Sequence, residues 1–192
     1  MSTFVLATHN AHKVEELRRI LGERLGPHEL IGYDGPEPVE DGDTFEANAL
    51  IKARAAYAHT GLPAIADDSG IAVHALGGEP GINSARYAGT RIDADNNALL
   101  LRNLDGVADR SADFVCAAAL VDGERELVVR GVWQGAVLEA PSGPNGFGYD
   151  PIFRPDGIPT SSAELTPDEK NAISHRARAF GELVTQLREL YG

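Results

Sequence analysis

The sequence lacks several features that define specialised protein classes. It has one cysteine among 192 residues, so no internal disulfide and no thiolate-rich zinc site can form. No segment approaches the roughly 20 apolar residues of a membrane span. The first seven residues lack the basic segment and long apolar run of a signal peptide. These absences favour a reduced cytoplasmic compartment and argue against a membrane partner.

Positive charge is also scarce. The 17 Lys and Arg residues are outnumbered by 29 Asp and Glu, which gives a formal net charge of -12 at pH 7. This balance argues against a broad surface for DNA or RNA, because such surfaces need basic residues for the phosphate backbone. It does not exclude a small anionic ligand, since a few lysines, a helix N-terminus and a divalent cation can hold a triphosphate within an acidic protein.

The length and the 43% content of hydrophobic residues predict a single domain over residues 1–192 with a substantial core. Apolar periodicity predicts strands and helices that alternate early and a hairpin that comes late. Strands are predicted at 3–7, 64–66, 114–121 and 126–138. Helices are predicted at 14–21, from about 43 to 59, at 93–104 and from about 175 to 190. This order indicates an α/β fold with a mixed sheet.

The run from Pro63 to Gly70 is the most informative segment. Small and β-branched apolar residues lead into Asp67 and Asp68, which predicts a buried strand ending in a turn that presents acid groups. Open α/β sheets bind ligands at the carboxyl ends of strands. Buried paired carboxylates are costly unless a positive group lies between them. The alternative is that the two aspartates cap a turn or the next element.

A polar turn separates the first strand from the first helix. The N–H groups at a helix start favour anions, and Lys13 adds a full positive charge there. Thr8 and Asn10 have side chains able to hydrogen-bond phosphate or sugar. The glycines and spacing of a P-loop are absent. The alternative is an ordinary turn capped by Asn10, with His9 and His12 in solvent.

Carboxylates cluster just before the second helix. Asp43 and Glu46 have the spacing of a capping box and complement the helix dipole. Glu40 is less well explained in this way, and it is a candidate to join Asp68 as an oxygen ligand of Mg²⁺, which takes one or two carboxylates plus substrate phosphates. Lys52, on the same helix, is either a solvated charge or a phosphate contact.

A glycine-rich loop precedes the last part of the chain. Glycines on both sides of Phe147 allow the backbone to approach a ligand closely. Phe147 and Tyr149 are candidates to stack on a base, a contact worth roughly 1–3 kcal/mol per base in nucleic-acid complexes. The alternative is a tight turn whose aromatic side chains belong to the core.

Two cations lie near helix starts late in the chain. Ser174 is the predicted N-cap of the last helix, with Lys170 and Arg176 close to it. The helix dipole disfavours cations there, and such local conflicts are expected at functional sites. The alternative is a pair of exposed surface charges. A serine nucleophile is not supported, because the sequence lacks a G-x-S-x-G elbow.

These segments, in this order, resemble the inosine triphosphate pyrophosphatase family, also called the Ham1-like family. The resemblance covers nearly the whole chain. Its most specific stretches are Leu62–Gly70, Gly77–Gly89, Gly146–Phe153 and Ser174–Arg176. It implies a two-lobed α/β protein with a long mixed sheet flanked by helices, and a homodimer. It further implies Mg²⁺-dependent hydrolysis of ITP, dITP and XTP to the monophosphate and pyrophosphate.

The resemblance also implies site residues. The phosphate-binding turn is matched by Thr8, His9, Asn10, Ala11, His12 and Lys13. The metal ligands are matched by Glu40 and Asp68, and the proposed base by Asp68. Substrate contacts are matched by Ser69, by the base-holding residues Phe147, Gly148, Tyr149 and Asp150, and by Lys170, His175 and Arg176. The family turn commonly has glycine or lysine where this chain has His12.

The expected reaction is attack of water on a phosphorus with pyrophosphate leaving, so positioning and charge neutralisation dominate. We expect Asp68 or Asp67 to take the proton, and Lys13, Lys52 and Lys170 to neutralise charge. Hydrogen-bond donors from Arg176 or the backbone would select a 6-oxopurine over adenine. Two alternatives are a pyrophosphatase acting on other modified nucleoside triphosphates and a nucleotide-sensing or RNA-binding module without chemistry.

Overall fold

The computed structural model describes residues 1–192, apart from the side chain of Glu23. Its strands and helices are, in chain order, β1 (Thr3–Leu6), α1 (Ala11–Leu21), β2 (Glu29–Gly32), α2 (Phe45–Thr60), β3 (Ala64–Val73), α3 (Asp93–Asn103), β4 (Ser111–Val121), β5 (Glu126–Val137), β6 (Phe153–Pro155), α4 (Pro167–Ile173) and α5 (His175–Tyr191). Each helix in the described part of the chain is too short or too polar to cross a bilayer.

The strands form one six-stranded sheet in the order β2-β1-β3-β4-β5-β6. Strand β1 runs parallel to β2, with Thr3 opposite Glu29, and parallel to β3, with Val5 opposite Ala64. Strand β6 is antiparallel to β5. Strands β4 and β5 are neighbours joined by four residues, as the Asp122-Gly123 hairpin signal predicts. The predicted α/β class with a mixed sheet is therefore confirmed.

The chain divides into two compact units. The first unit comprises Met1–Asp68, Cys116–Gly131 and Ser174–Gly192, and the second comprises Ser69–Val115 and Val132–Ile173. The three long strands β3, β4 and β5 each contribute residues to both units. This division agrees with the two-lobed architecture that the family resemblance implies.

In the core of the first unit, helices α1 and α5 pack against residues of strands β1, β3, β4 and β5. Leu17 and Phe180 are fully buried in this core together with Phe4 from β1. Asn10 caps α1 and Ser174 caps α5, each by accepting backbone N–H groups of the first turn, as the sequence indicates. Leu190 lies in the last turn of α5 and is 39% exposed, so it is not part of this core.

The second unit has its own aromatic core. Trp133 and Phe153 pack there with Phe114, their ring centroids being 4.3–6.5 Å apart. Helix α4 begins with a capping box, because the Thr166 N–H donates to Glu169 Oε2 and the Glu169 N–H donates to Thr166 Oγ1.

The N-cap of α2 differs from the prediction. Thr44 is the capping residue, with an extended backbone and a hydroxyl that accepts the N–H of Ala47 at 3.1 Å. Asp43 therefore lies outside the helix and forms no capping box with Glu46. The predicted helix end is confirmed, because Gly61 adopts the left-handed conformation at φ 71° that closes such a helix.

Candidate active site

The turn from Thr8 to Lys13 joins β1 to α1 in the first unit. The Thr8 hydroxyl accepts the N–H of Asn10 at 3.1 Å, and Asn10 Oδ1 accepts the N–H groups of His12 and Lys13 at 3.0 and 3.3 Å. The predicted cap by Asn10 is confirmed. Because both polar side chains hold the turn itself, the Lys13 side chain supplies the full positive charge at this helix start.

The side chain of His9 is engaged with a neighbouring loop. Its ring stacks on Tyr33 at a centroid distance of 5.5 Å and an interplanar angle of 17°. Its Nδ1 lies 3.1 Å from Glu37 Oε1. His9 is exposed, as the solvated alternative predicts, and its imidazole also links the Thr8–Lys13 turn to residues 33–37.

Asp67 and Asp68 lie within β3 rather than in a turn at its end. The strand continues from Ala64 to Val73, so the predicted boundary at residue 66 is wrong. Aspartate is disfavoured in strands, because it is polar and competes for backbone hydrogen bonds. Here each carboxylate has a lysine partner within 3.1 Å, and this pairing offsets the cost of burial.

Asp67 is the centre of a buried ion network. Its Oδ2 lies 3.1 Å from Lys13 Nζ and 3.4 Å from both Nε and Nη2 of Arg176. Arg176 Nη1 in turn lies 2.6 Å from Glu16 Oε2. Burial alone raises the pKa of Asp67, but Lys13, Arg176 and Lys52 outweigh it and hold that pKa well below its usual range. Asp67 therefore stays ionised.

Cys116 lies beside this network and is inert. It is fully buried, with its Sγ 3.9 Å from Asp67 Oδ2. Burial and then the charge of Asp67 raise the pKa of the thiol far above its ordinary value. The thiolate needed for reactivity is therefore absent in the folded protein near neutral pH.

Asp68 has a different electrostatic setting. Lys52 Nζ lies 3.1 Å from Asp68 Oδ1 and 3.0 Å from Glu40 Oε2. Burial, with a contribution from Glu40, raises the pKa of Asp68 despite the attraction of Lys52 and Lys13. Burial lowers the pKa of Lys52, but the three carboxylates around it outweigh burial and raise it. The ammonium therefore stays charged while Asp68 is the more basic of the two aspartates.

Glu40 and Asp68 fit the role of metal ligands that the resemblance implies. Among the described side chains, no group of three or more His, Cys, Asp or Glu residues is arranged to hold a metal ion. The two carboxylates nevertheless converge on one position of positive charge, the Lys52 ammonium. Asp68 Oδ2 is buried without a hydrogen-bond partner. Such a pair suits a hard cation that completes its shell with water and phosphate oxygens.

Residues 146–150 of the second unit form a glycine-rich segment, hereafter the base loop. Tyr149 is 4% exposed, packs in the aromatic core and donates its hydroxyl to the carbonyl of Ser84 at 2.7 Å. The prediction that Tyr149 stacks on a base is therefore not supported, and its core alternative is correct. Phe147 is half-buried, which leaves it as the aromatic candidate for base stacking.

Asp150 organises the base loop from within. Its Oδ2 lies 2.6 Å from Lys170 Nζ and accepts the N–H of Phe147 at 2.9 Å. The Lys170 ammonium lies 5.0 Å from the centroid of the Phe147 ring. Because Asp150 is 2% exposed and occupied by these partners, its geometry is that of a loop organiser.

The late cations are buried rather than exposed. Lys170 is 4% exposed and Arg176 is 2% exposed, so the alternative of two surface charges is wrong. Three nitrogens of Arg176 face Asp67 and Glu16, so a direct contact with purine stays a prediction. His175, at the start of α5, is also buried, and Ser69 follows Asp68 in β3 as a half-buried residue.

Several residues of the site escape the sequence analysis. Glu16 lies three residues after Lys13, a spacing that places both on one helix face and offers a signal for their shared network. Asp93 and Asn97, one turn apart on α3, bind the N–H and the carbonyl of Gly148 at 2.7 and 3.1 Å. Ser162 contacts Asp150, and no local sequence pattern indicates this contact.

Comparison with known proteins places this geometry in a family. The Ham1 family model matches residues 4–186. A dITP/XTP pyrophosphatase of Leifsonia xyli subsp. xyli is 55% identical over 196 residues, covering 99% of this chain and 98% of the relative. A dITP/XTP pyrophosphatase of Streptomyces coelicolor is 51% identical over 201 residues, covering both chains completely.

Solved structures agree with the fold. A HAM1 protein from Coxiella burnetii superimposes with a TM-score of 0.88 at 44% identity, covering 98% of this chain and 100% of that one. The Ham1 protein of Staphylococcus aureus gives a TM-score of 0.86 at 37% identity, covering 97% and 98%. The two units and their sheet are therefore similar to experimentally determined Ham1 structures.

Proposed function

The chain belongs to the Ham1 family, and we propose that it hydrolyses the deaminated purine nucleoside triphosphates dITP, ITP and XTP to the monophosphate and pyrophosphate. The observation that carries the proposal is a cluster of two buried aspartates and two half-buried lysines, in which Lys13 pairs with Asp67 and Lys52 pairs with Asp68. Relatives that are 55% and 51% identical over their full length are dITP/XTP pyrophosphatases. The biological role is removal of deaminated purines from the nucleotide pool.

The triphosphate binds at the start of α1 in this proposal. Lys13 supplies a full charge next to the positive end of the helix dipole. Asp67 keeps the Lys13 ammonium in place at 3.1 Å, and Arg176 keeps Asp67 ionised. Lys52, the second lysine of this cluster, neutralises charge that develops on the phosphate oxygens during cleavage.

Asp68 is the general base in this proposal. In the protein without a bound cation, burial raises the pKa of Asp68, whereas the pKa of Asp67 is held low by Lys13 and Arg176, so Asp68 is the more basic of the two carboxylates. Asp68 accepts a proton from the attacking water as the oxygen of that water bonds to the α-phosphorus. The bond from this phosphorus to the bridging oxygen breaks, and pyrophosphate leaves with the bonding electrons.

Mg²⁺ is the proposed cofactor, with Glu40 and Asp68 as its protein ligands. The support is the convergence of their oxygens and the unpartnered buried Oδ2 of Asp68. A divalent cation held by Glu40 and Asp68 would neutralise phosphate charge and make water more acidic. The chain is further proposed to act as a cytoplasmic homodimer without a nucleic-acid or membrane partner, an expectation that rests on the family resemblance and the charge of -12.

The base loop is proposed to hold the purine. Phe147 offers a ring face for stacking, and Lys170 places a donor 5.0 Å from the centroid of that ring. Inosine and xanthine carry an acceptor oxygen at C6, whereas adenine carries an amine donor that would face the ammonium.

Product analysis tests the reaction. Purified protein is incubated with dITP, XTP, dGTP and dATP, each with Mg²⁺ or with EDTA. We expect monophosphate and pyrophosphate from dITP and XTP, only with the metal. Release of orthophosphate would refute the cleavage position, and equal turnover of dATP would refute the purine selection. Preferential turnover of other modified triphosphates would favour the alternative pyrophosphatase.

The role of Asp68 is tested by Asp68→Asn. Removing a general base costs roughly 10²–10⁴ in kcat. Asp113→Asn is the matched control, because Asp113 pairs with His74 at 3.0 Å in the second unit and takes no part in the proposed site. We expect the control to hydrolyse dITP at the rate of the unchanged protein. An Asp68→Asn protein with full activity would overturn the assignment.

A further inference from the structure

We infer that Ser162 is a positioning residue for the base loop, acting through Asp150. The hydroxyl of Ser162 lies 2.8 Å from Asp150 Oδ1, and both residues are at most 2% exposed. Its role in substrate binding rests on the proposed function of the base loop. Its role in ordering that loop stands on the contacts alone.

The carboxylate of Asp150 is held at both of its oxygens. Oδ2 receives two donors, the Lys170 ammonium at 2.6 Å and the Phe147 N–H at 2.9 Å. Oδ1 receives the Ser162 hydroxyl, which also lies 3.2 Å from the Asp150 carbonyl. With a donor on each side, the carboxyl group cannot turn about its Cβ–Cγ bond without breaking a buried hydrogen bond to a charged acceptor.

This orientation determines where the Phe147 backbone and the Lys170 ammonium lie. The Phe147 N–H and the Lys170 ammonium both contact Oδ2. A rotation of the carboxylate therefore displaces the Phe147 backbone and the Lys170 ammonium at the same time. The backbone conformation is tight as well. Gly146 has φ 72°, and a Cβ at that position would collide with the Asp150 carboxylate. By holding Oδ1, Ser162 therefore keeps Oδ2 in position to bind both the Phe147 backbone and the Lys170 ammonium.

Other contacts keep the loop folded when Ser162 is changed. Asp93 accepts the N–H of Gly148 at 2.7 Å and Asn97 donates to its carbonyl at 3.1 Å. The Tyr149 hydroxyl is anchored on the Ser84 carbonyl at 2.7 Å. Loss of the Ser162 hydroxyl is therefore expected to loosen one end of the base loop without unfolding the second unit.

Ser161 provides a matched control. It is the neighbouring residue, is equally buried, and donates its hydroxyl to the Ser142 carbonyl at 2.7 Å rather than to Asp150. Ser162→Ala and Ser161→Ala each delete one buried hydroxyl. A third variant, Ser162→Cys, leaves no cavity but replaces the hydroxyl with a weak donor, which separates a lost hydrogen bond from a cavity.

Two readouts are compared in the three variants. The first is KM and kcat for dITP. We expect Ser162→Ala and Ser162→Cys to raise KM about 5–10-fold with kcat within about twofold, because a buried charged acceptor loses its donor. Ser161→Ala keeps the KM of the unchanged protein. The second readout is the amide exchange rate of Phe147 in the substrate-free protein, which rises in both Ser162 variants and not in Ser161→Ala.

The outcomes separate this inference from the proposed function. If the unchanged protein does not cleave dITP, the proposed function fails, and the Phe147 exchange rate still decides whether Ser162 orders the loop. An unchanged Phe147 amide in Ser162→Ala overturns the inference. A normal KM in Ser162→Cys, or an equal rise of KM in Ser161→Ala, also overturns it, because each points to packing instead of the hydrogen bond to Asp150.

Discussion

Replacing Arg176 with methionine tests how strongly the first unit depends on its buried charges. The guanidinium is 2% exposed and places three nitrogens on two carboxylates, Nε and Nη2 at 3.4 Å from Asp67 and Nη1 at 2.6 Å from Glu16. Methionine retains much of the apolar stem and removes the charge. Asp67 then keeps Lys13 as its cation while its Oδ1, already without a hydrogen-bond partner, stays buried.

The expected cost follows from this geometry. Removing one partner of a buried ion pair destabilises a protein by about 3–5 kcal/mol, because the other charge is left uncompensated. In a chain of 192 residues, each kcal/mol shifts the melting temperature by about 2–4 °C, so Arg176→Met is expected to lower Tm by about 6–20 °C. Arg178→Met, an exposed position on the same helix, is the control and is expected to cost less than about 1 kcal/mol.

Urea unfolding at neutral pH measures both variants. A combined variant that adds Glu16→Gln and Asp67→Asn to Arg176→Met removes the charges left behind. It is expected to be at least ~1 kcal/mol more stable than the sum of the separate substitutions, since the residues are in direct contact. An Arg176→Met protein as stable as Arg178→Met would refute the argument. A combined variant whose stability change equals the sum of the changes of the three separate substitutions would also refute the argument.

Two further predictions concern the C-terminus and the base loop. Burial raises the pKa of Asp122, but hydrogen bonds from the Tyr191 hydroxyl and two backbone N–H groups outweigh it and leave that pKa lowered. The stability that ionised Asp122 contributes is therefore complete above the unfolded carboxyl pKa of about 3.9, and it is lost as the pH falls through the lower pKa of the folded state. Tyr191→Phe is expected to lower the free energy of unfolding by about 1 kcal/mol at neutral pH and by less in acid. Urea unfolding at both pH values measures this difference. Gly146→Ala is expected to be less stable than Gly148→Ala by ~1 kcal/mol or more in thermal unfolding, because both have positive φ but only the Cβ at residue 146 meets the Asp150 carboxylate. Equal stability of the two alanine variants would contradict the clash.

The elements that depend on neighbours in sequence are the ones that could be predicted. The Asn10 cap, the Ser174 cap and the Gly61 helix end are each set within one turn of the chain, and all three are present. Family resemblance supplied the candidate site residues, and the structure shows the contacts that each side chain makes. Predictions failed where the local sequence suggests one role for a residue and tertiary packing gives it another. Tyr149 is an example, because its sequence context suggests base stacking whereas its side chain lies in the core.

The end of β3 shows why sequence alone falls short. Asp67 and Asp68 look like the end of a strand, because aspartate disfavours strands. The strand continues through them because Lys13 and Lys52, distant in sequence, place ammonium groups within 3.1 Å of each. A carboxylate can be buried at a tolerable cost only where a positive group lies next to it. The position of that positive group is a property of the folded chain.

The sequence by itself determined the α/β class, the caps of α1 and α5, and the acidic character. Periodicity, capping and charge are local or summed quantities, so they need no knowledge of the fold. The tertiary structure alone decided that Arg176 holds Asp67 and Glu16, the latter 160 positions away in the chain, and that Ser162 reaches Asp150. It also decided which aspartate is the more basic, because a pKa follows from burial and from charges brought near by folding.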